Sequence, residues 1–255
     1  MEAELSAVEN AEGLRVLYAC EAGSRAWGFA SLDSDYDVRF LYVRPVAWYL
    51  SIDDRRDVVE RPLRGLLDVT GWDLQKALRL FRKSNPPLLE WLGSPIVYRE
   101  AGPLAARLRE LLPRYYSPRA CLHHYLHMAR GNFREYLQGE TVWLKKYLYV
   151  LRPLLACRWI EAGRGAVPVR FLDLLGAVSV PERVGEALGE LLESKRAGQE
   201  LDRGPRSPAL SQFIEEEIDR LGAAPEAAPP PAGTAALDDL FRECLLDAWP
   251  QGQVT

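Results

Sequence analysis

The chain has 255 residues, of which 48% are hydrophobic and 27% are charged. This composition supplies a core for one large or two small domains and excludes a globally disordered protein. The formal net charge of −4 excludes a protein that coats nucleic acid through a broad basic surface, although it permits a local basic cleft. No run of about 18 apolar residues occurs, which predicts no membrane-spanning helix. The four cysteines form no Cys-x-x-Cys pair and fit a reducing, cytoplasmic location.

Short β-rich runs alternate with glycine and aspartate in the first hundred residues. They predict four strands, at residues 14–20, 35–43, 57–60 and 66–69. A loop is expected between the first two strands, at residues 25–34. Apolar residues at i, i+3, i+4 and i+7 from Leu74 predict a helix after the last strand, and a short helical turn is expected at 88–92.

From residue 101 the apolar residues follow helical spacing. Helices are predicted over 118–138 and 142–151, and the second should be buried because it is apolar on nearly every side. Pro153 is expected to kink or end that helix. The chain ends with a Pro/Ala-rich linker and an amphipathic helix, and this helix should dock on another surface. We therefore predict four segments, a mixed strand–helix domain at 1–100, a helical domain at 101–221, the linker at 222–234, and the C-terminal helix and tail at 235–255.

Two aspartates open the second predicted strand. Because side chains at i and i+2 of a strand point to the same face, Asp35 and Asp37 should lie side by side. Two ionised carboxylates this close repel each other unless a cation lies between them. Mg²⁺ prefers such oxygen ligands, with substrate phosphates completing its shell. A solvated Ser-Asp-Tyr-Asp turn is the alternative interpretation.

A glycine and a serine follow the first predicted strand. At Gly23 the backbone can approach a ligand closely, and exposed N–H groups with the Ser24 hydroxyl can hold phosphate. An ordinary turn would suit the same two residues. A third carboxylate is needed to activate a nucleophile or to hold a second metal ion. We favour Asp68, which interrupts an apolar strand, over Asp73, which stands where an aspartate caps a helix.

These residues together resemble the DNA polymerase beta nucleotidyltransferase superfamily, whose signature is Gly-Ser, a spacer, Asp-x-Asp and a later strand aspartate. Longer blocks resemble its RNA-ligase-associated (RlaP / YcgL-like) branch, at residues 20–29, 33–39, 48–52, 71–74, 84–91 and 145–153. Ala22 departs from the serine expected there in close relatives.

The resemblance implies an α/β (α+β) fold, with a small nucleotidyltransferase-type mixed sheet flanked by helices and followed by a mainly helical domain. It also implies two Mg²⁺ ions (with Mn²⁺ as a second candidate), a nucleoside triphosphate donor such as ATP, and a hydroxyl acceptor, with an RNA end in RNA repair as one candidate. In that picture Asp35 and Asp37 bind both metal ions, and Asp68 binds the acceptor-side ion and helps to activate the hydroxyl. Gly23 and Ser24 would hold the β- and γ-phosphates.

Basic residues near these motifs are candidate phosphate ligands. Lys145, Tyr149 and Arg152 lie at i, i+4 and i+7 on the predicted buried helix, where a cation needs a partner. A triphosphate is one such partner, and an internal salt bridge or a side chain reaching the surface is the alternative. Arg25 and Arg39 flank the aspartates, where they either steady phosphates or pair with local carboxylates.

Other residues carry weaker signals. His123 and His127 lie off the apolar stripe of their predicted helix, and a solvated face fits them better than a metal site. Trp27 and Trp72 either stack on a base or belong to the core.

The sequence leaves two competing functions, a cytoplasmic Mg²⁺-dependent nucleotidyltransferase and a non-catalytic nucleotide- or partner-binding module of the same fold. In the second, the C-terminal helix would attach a protein partner.

Overall fold

The computed structural model describes residues 1–197, 201–222 and 232–250. Up to residue 116, helices alternate with short strands: α1 (Glu2–Glu12), β1 (Arg15–Glu21), α2 (Gly23–Trp27), β2 (Tyr36–Val43), α3 (Val46–Tyr49), β3 (Val58–Glu60), β4 (Leu67–Asp73), α4 (Leu74–Arg82), α5 (Pro86–Leu92), β5 (Val97–Glu100) and α6 (Leu104–Tyr115). The later part is mainly helical: α7 (Pro118–Tyr136), β6 (Thr141–Trp143), α8 (Leu144–Glu161), α9 (Phe171–Ala177), α10 (Glu182–Arg196), β7 (Arg203–Pro205), α11 (Pro208–Gly222) and α12 (Ala235–Ala248).

The described residues divide into two units. The first contains residues 1–26, 35–116 and 232–250, and the second contains 27–34, 117–197 and 201–222. This division differs from the predicted domains, because α6 packs on β1 and α12 packs on α4, α6 and β2. The predicted linker begins at Gly222, the end of α11, but its residues 223–231 lie outside the described part, as does the tail at 251–255.

A five-stranded mixed sheet organises the first unit. Its strand order is β3-β4-β2-β1-β5, in which β2 and β4 run parallel and the other neighbours are antiparallel. Four of these strands agree with the predicted ones to within a few residues, except that β4 continues to Asp73. The predicted α/β (α+β) fold, with a mixed sheet flanked by helices, is confirmed.

Apolar side chains cover both faces of this sheet. On one face, Leu5 and Val8 of α1 pack with Val38 and Phe40 of β2. On the other, α4, α5, α6 and α12 enclose a larger cluster that includes Leu41. A register shift in β1 between Val16 and Tyr18 lets neighbouring residues face the same cluster, as a β-bulge does. Because the apolar face of α12 is buried here, the predicted docking of this helix is confirmed, and its site is the chain's own first unit.

The sequence did not predict α1, β5 or the helical form of residues 23–27. The α1 helix buries only Leu5 and Val8, so its apolar stripe is narrow. The β5 strand is at the edge of the sheet and buries no residue fully, so it lacks an alternating pattern. At residues 23–27 we predicted a turn and a loop, but these residues form the short helix α2.

Gly71 of β4 lies opposite Phe40 of β2, in contact with its ring. A Cβ atom added at Gly71 would lie 2.2 Å from the Phe40 ring. Because Phe40 is buried and cannot move aside cheaply, Gly71→Ala is expected to lower the free energy of unfolding by about 2–3 kcal/mol in a denaturant titration. In a Phe40→Ala background the same change should cost much less.

Gly131→Ala is the matched control for this prediction. Gly131 lies inside α7, and a Cβ added there meets no atom within 4 Å, so this variant should be neutral or slightly stabilising. Equal destabilisation by the two variants would show that the Phe40 contact is not the cause.

The helices α7 and α8 are the main packed pair of the second unit. The α8 helix starts at Leu144, after the short strand β6, and is buried along most of its length as predicted. We predicted that Pro153 kinks or ends this helix, and the second alternative was wrong, because α8 continues to Glu161. Leu151, Leu154 and Leu155 are almost fully buried around the proline, and this packing offsets the hydrogen bond that a proline cannot donate.

A network of arginines and glutamates joins α8 to α11. Glu217 is 3% exposed and accepts two hydrogen bonds of 2.8 Å from Arg158 and further ones from Arg220, which also pairs with Glu161. Burial alone would raise the pKa of Glu217, but the two guanidinium groups outweigh it and lower this pKa to about 2. The ionised carboxylate therefore stabilises the fold at neutral pH.

We expect Glu217→Gln to lower the free energy of unfolding by roughly 2 kcal/mol at pH 7, because it removes one charge from a buried network. The difference from the wild type should shrink as the pH falls below about 4.5, where the unfolded chain binds the proton first and the wild type loses its advantage. Thermal unfolding at several pH values measures this. Glu216→Gln, an exposed neighbour on α11, should show neither effect.

Candidate functional site

Two aspartates lie next to each other where β2 and β4 begin. Asp37 of β2 is paired with Asp68 of β4 in the parallel ladder, so both side chains project from the same face of the sheet. Their side chains are 24% and 38% exposed, which leaves both accessible. Asp37 of β2 therefore has a carboxylate neighbour on another strand, the Asp68 side chain of β4.

Arg39 lies between these carboxylates. It shares their face because it is two residues beyond Asp37, and its Nη2 atom donates hydrogen bonds of 2.8 Å to Asp37 Oδ1 and Asp68 Oδ2. Of the two roles considered for Arg39, pairing with local carboxylates is the one observed. The guanidinium offsets the repulsion between the two negative charges.

Gly23 brings the backbone against Asp37. Its φ of 56° is in the left-handed region, and a Cβ atom added there would lie 2.0 Å from Asp37 Oδ2. A glycine is therefore required both by the backbone conformation and by the carboxylate. Ser24 follows at the start of α2 and is buried. The structure thus places the Gly23 backbone directly against the Asp37 carboxylate.

Sequence reasoning missed Glu21, the last residue of β1. Glu21 is buried, its Oε1 atom accepts a hydrogen bond of 2.8 Å from the Asp37 backbone N–H, and its Oε2 atom accepts one from the Tyr98 hydroxyl. The signal was present in the sequence, since an acidic residue ending an apolar strand is as unusual as Asp68 within one. Glu21 holds the first residues of β2 in place beneath Asp37.

Two carboxylates of this cluster, those of Asp37 and Glu21, have a raised pKa. Burial raises the pKa of Asp37, as do the charges of Asp68 and Asp35, while Arg39 opposes the rise. Burial likewise raises the pKa of Glu21, and the charge of Asp37 adds to it. Such carboxylates are more stable when protonated or when a further cation is near.

Asp35 and Arg25 lie at the outer edge of the cluster. Asp35 directly precedes the first residue of β2, and its side chain is exposed. Arg25 donates from Nε to the Asp35 carbonyl oxygen at 3.1 Å and stacks over the Tyr36 ring at 3.7 Å. These contacts orient the Arg25 side chain beside the start of β2.

Asp73 lies apart from the other aspartates. It pairs with Tyr42 at the far end of β4 and lies five positions after Asp68, an odd spacing that places the two on opposite faces. Its carboxylate caps α4 by accepting from the Gln75 N–H at 2.8 Å and accepts from the Tyr49 hydroxyl at 2.7 Å. The helix-capping alternative accounts for Asp73 fully.

Lys145, Tyr149 and Arg152 belong to the second unit. Our expectation that they share a buried face was wrong for Lys145, which is exposed. Arg152 is 2% exposed, donates to the Val169 carbonyl oxygen at 3.2 Å and stacks on Trp27 at 4.6 Å. Tyr149 also meets the Trp27 ring, at 5.3 Å between centroids.

Trp27 and Trp72 are packed against other rings. Trp27 contacts Phe29 and Tyr149, and Trp72 lies 3.9 Å from Trp91 between ring centroids. Both therefore follow the core interpretation. His123 and His127 are exposed on α7, as predicted for a solvated face. Among the described residues no helix is long and apolar enough to cross a membrane.

Residues 1–243 match the family model of the RNA repair pathway DNA polymerase beta family (RlaP). The chain belongs to this family. It is 47% identical over 251 residues to the uncharacterized protein YcgL of Bacillus subtilis (strain 168). The aligned region covers 98% of this chain and 96% of that protein. The fold was also compared with a crystal structure of a nucleotidyltransferase-like protein from Exiguobacterium sibiricum 255-15. The superposition covers 97% of this chain and 77% of that one, with 13% identity and a TM-score of 0.30. This likeness is too distant to support an argument.

Membership of the RlaP family confirms the resemblance seen in the motifs and makes the protein a member of a DNA polymerase beta-like family linked to RNA repair. Glu21, Gly23, Asp37 and Arg39, from the motif blocks at residues 20–29 and 33–39, form the candidate cluster, and Asp68 joins it through the parallel pairing of β2 and β4. These five residues all belong to the first unit.

The residues present fit a divalent cation in kind, because Asp37 and Asp68 offer carboxylate oxygens of the type that Mg²⁺ binds. No three His, Cys, Asp or Glu side chains among the described residues are grouped as a metal site. Arg39 lies between the two aspartates, and Asp35 is outside the sheet. A cation would need Arg39 to release these carboxylates, and substrate phosphates would complete its ligands.

Proposed function

We propose that this protein is a Mg²⁺-dependent nucleotidyltransferase that moves a nucleoside monophosphate from a nucleoside triphosphate to a hydroxyl group, with an RNA end as the acceptor. The observation that supports it most is the pairing of Asp37 with Asp68 on one face of the sheet, directly against the Gly23 backbone. This arrangement belongs to a chain of the RNA repair pathway DNA polymerase beta family.

In this proposal Asp37 and Asp68, with Asp35 entering from the segment before β2, hold the metal ions. Two Mg²⁺ ions, or Mn²⁺ in their place, would stabilise the attacking and leaving oxygens of an in-line displacement. Asp68 accepts the proton of the acceptor hydroxyl or directs it to water, since its side chain is the more exposed of the pair.

Phosphate binding is assigned to the start of α2. The backbone N–H groups after Gly23 and the Ser24 hydroxyl would hold the β- and γ-phosphates, and Arg25 would add a charge at the outer edge. Arg39 has a second role here, because on release from Asp37 and Asp68 its guanidinium can pair with a phosphate. Lys145, Tyr149 and Arg152 belong to the second unit, and their nucleotide-binding role stays a prediction from the sequence.

Transfer of label tests the proposal. The protein is incubated with each of the four nucleoside triphosphates labelled at the α-phosphate, with Mg²⁺ or Mn²⁺ and an RNA oligonucleotide ending in a 3′ hydroxyl. Labelled RNA that depends on the metal ion is the expected product. Label on the protein instead of the RNA would identify a protein acceptor.

A non-catalytic module of the same fold is the alternative function. It predicts that a nucleoside triphosphate binds, as measured by calorimetry, but that no label moves to any acceptor with either metal ion. The burial of the apolar face of α12 counts against a partner docking on that face, so such a partner would have to use the outer side of the helix.

A further inference from the structure

A cavity of about 310 Å³ lies between α4 and α12, within the first unit. None of its described lining residues belongs to the cluster around Asp37. Its size is at the lower end of the range for small-molecule sites in proteins. The cavity is therefore large enough for a small ligand but not for a folded partner.

Three cations line one wall of this cavity. Arg79, Arg82 and Lys83 lie on one side of α4 and at its end. Arg82 donates from Nε to the Ala232 carbonyl oxygen at 2.7 Å, which fixes it on the wall, and the Arg79 and Lys83 side chains are exposed. None of the three forms an ion pair with another described residue, although many arginines of this chain do. An anion bound against them would reduce their mutual repulsion.

The remaining walls are largely apolar. Leu78 of α4 and Leu237 and Phe241 of α12 line the cavity, and Asp238 is the acidic residue among the described lining side chains. Three positive charges against one negative charge favour an anion, and the apolar wall favours one that carries a ring or a hydrocarbon part. Both parts of such a ligand would be in contact with protein.

We propose that this cavity binds a small organic phosphate, with its phosphate against Arg79, Arg82 and Lys83 and its apolar part against Leu78, Leu237 and Phe241. Because the ligand touches both α4 and α12, binding stabilises the docking of α12 on the first unit. The site is independent of the proposed nucleotidyl transfer and needs no divalent cation.

Calorimetric titration with phenyl phosphate and with inorganic phosphate tests this, in EDTA and low salt. Phenyl phosphate is expected to bind about tenfold more tightly than inorganic phosphate. Phe241→Leu should weaken phenyl phosphate binding by several-fold and leave inorganic phosphate unchanged, because the ring contact is lost. Arg79→Gln/Lys83→Gln, which changes two exposed side chains, should weaken both ligands by about tenfold or more.

Two controls make the result decisive. Arg64→Gln/Arg107→Gln removes two exposed charges outside the cavity and should bind both ligands as the wild type does. Asp37→Asn, at the candidate active site, should also bind normally, so a failure of the transfer reaction would leave this result intact. Phenyl phosphate should further slow amide hydrogen exchange in α12. Absence of saturable binding, or equal loss in both double variants, would overturn the proposal.

Discussion

Asparagine at Asp37 or at Asp68 is expected to reduce metal-dependent transfer from a nucleoside triphosphate by about a thousandfold or more while the protein stays folded. Asparagine keeps the size of the side chain but removes the charge that a divalent cation requires. The two aspartates are partly exposed, so their loss should change the thermal unfolding temperature little. Steady-state rates with labelled triphosphate, measured beside thermal unfolding, separate these two effects.

Two further asparagine variants control this prediction. Asp53→Asn alters an exposed loop and should leave the rate and the stability unchanged. Asp73→Asn should cost about 1–2 kcal/mol of stability, because Asp73 is buried and caps α4, and should leave the transfer rate nearly intact. The opposite result, in which Asp73→Asn abolishes transfer and Asp68→Asn does not, would assign the third carboxylate to Asp73.

Gly23→Ala should also reduce transfer strongly, for a different reason. The added Cβ atom would lie 2.0 Å from Asp37 Oδ2, so the carboxylate has to move away from the Gly23 backbone. We expect a loss of activity of about a hundredfold or more. Stability should also fall, because an alanine at a φ of 56° is strained.

Gly65→Ala separates backbone strain from the loss of the site. Gly65 has a nearly equal φ of 60°, but a Cβ atom added there meets no atom within 4 Å. This variant should lose about 1 kcal/mol of stability and keep full activity. If both variants lose activity to the same extent, the close approach of Gly23 to Asp37 is not what the reaction requires.

The central strands were predictable because they alternate or are apolar throughout. The α4 helix was also predictable, because its buried residues recur at helical spacing from Leu74. In contrast, α1 and β5 bury little, so their residues carry no periodic signal. The continuation of α8 past Pro153 depends on the burial of its own Leu151, Leu154 and Leu155 in the folded protein, which no local pattern contains.

The site was predicted in part, because its residues come from separate strands. Asp37 and Gly23 belong to one recognisable motif, and Asp68 was found because an aspartate is unusual in an apolar strand. The placement of Arg39 between two aspartates required the register of β2 on β4, which the sequence does not state. Glu21 was missed because its role depends on the hydrogen bond to the Asp37 backbone, made across two strands.

The position of α12 has a consequence for biosynthesis. Leu237, Leu240 and Cys244 complete the core beside Leu41, yet almost two hundred residues separate them from that strand. The ribosome therefore synthesises the whole of the second unit before the first unit can complete its core. The second unit can thus fold before the first unit, although synthesis of the first unit begins earlier. A polypeptide released before α12 is made would expose the apolar side of α4 and α6 and become a substrate for chaperones and proteases.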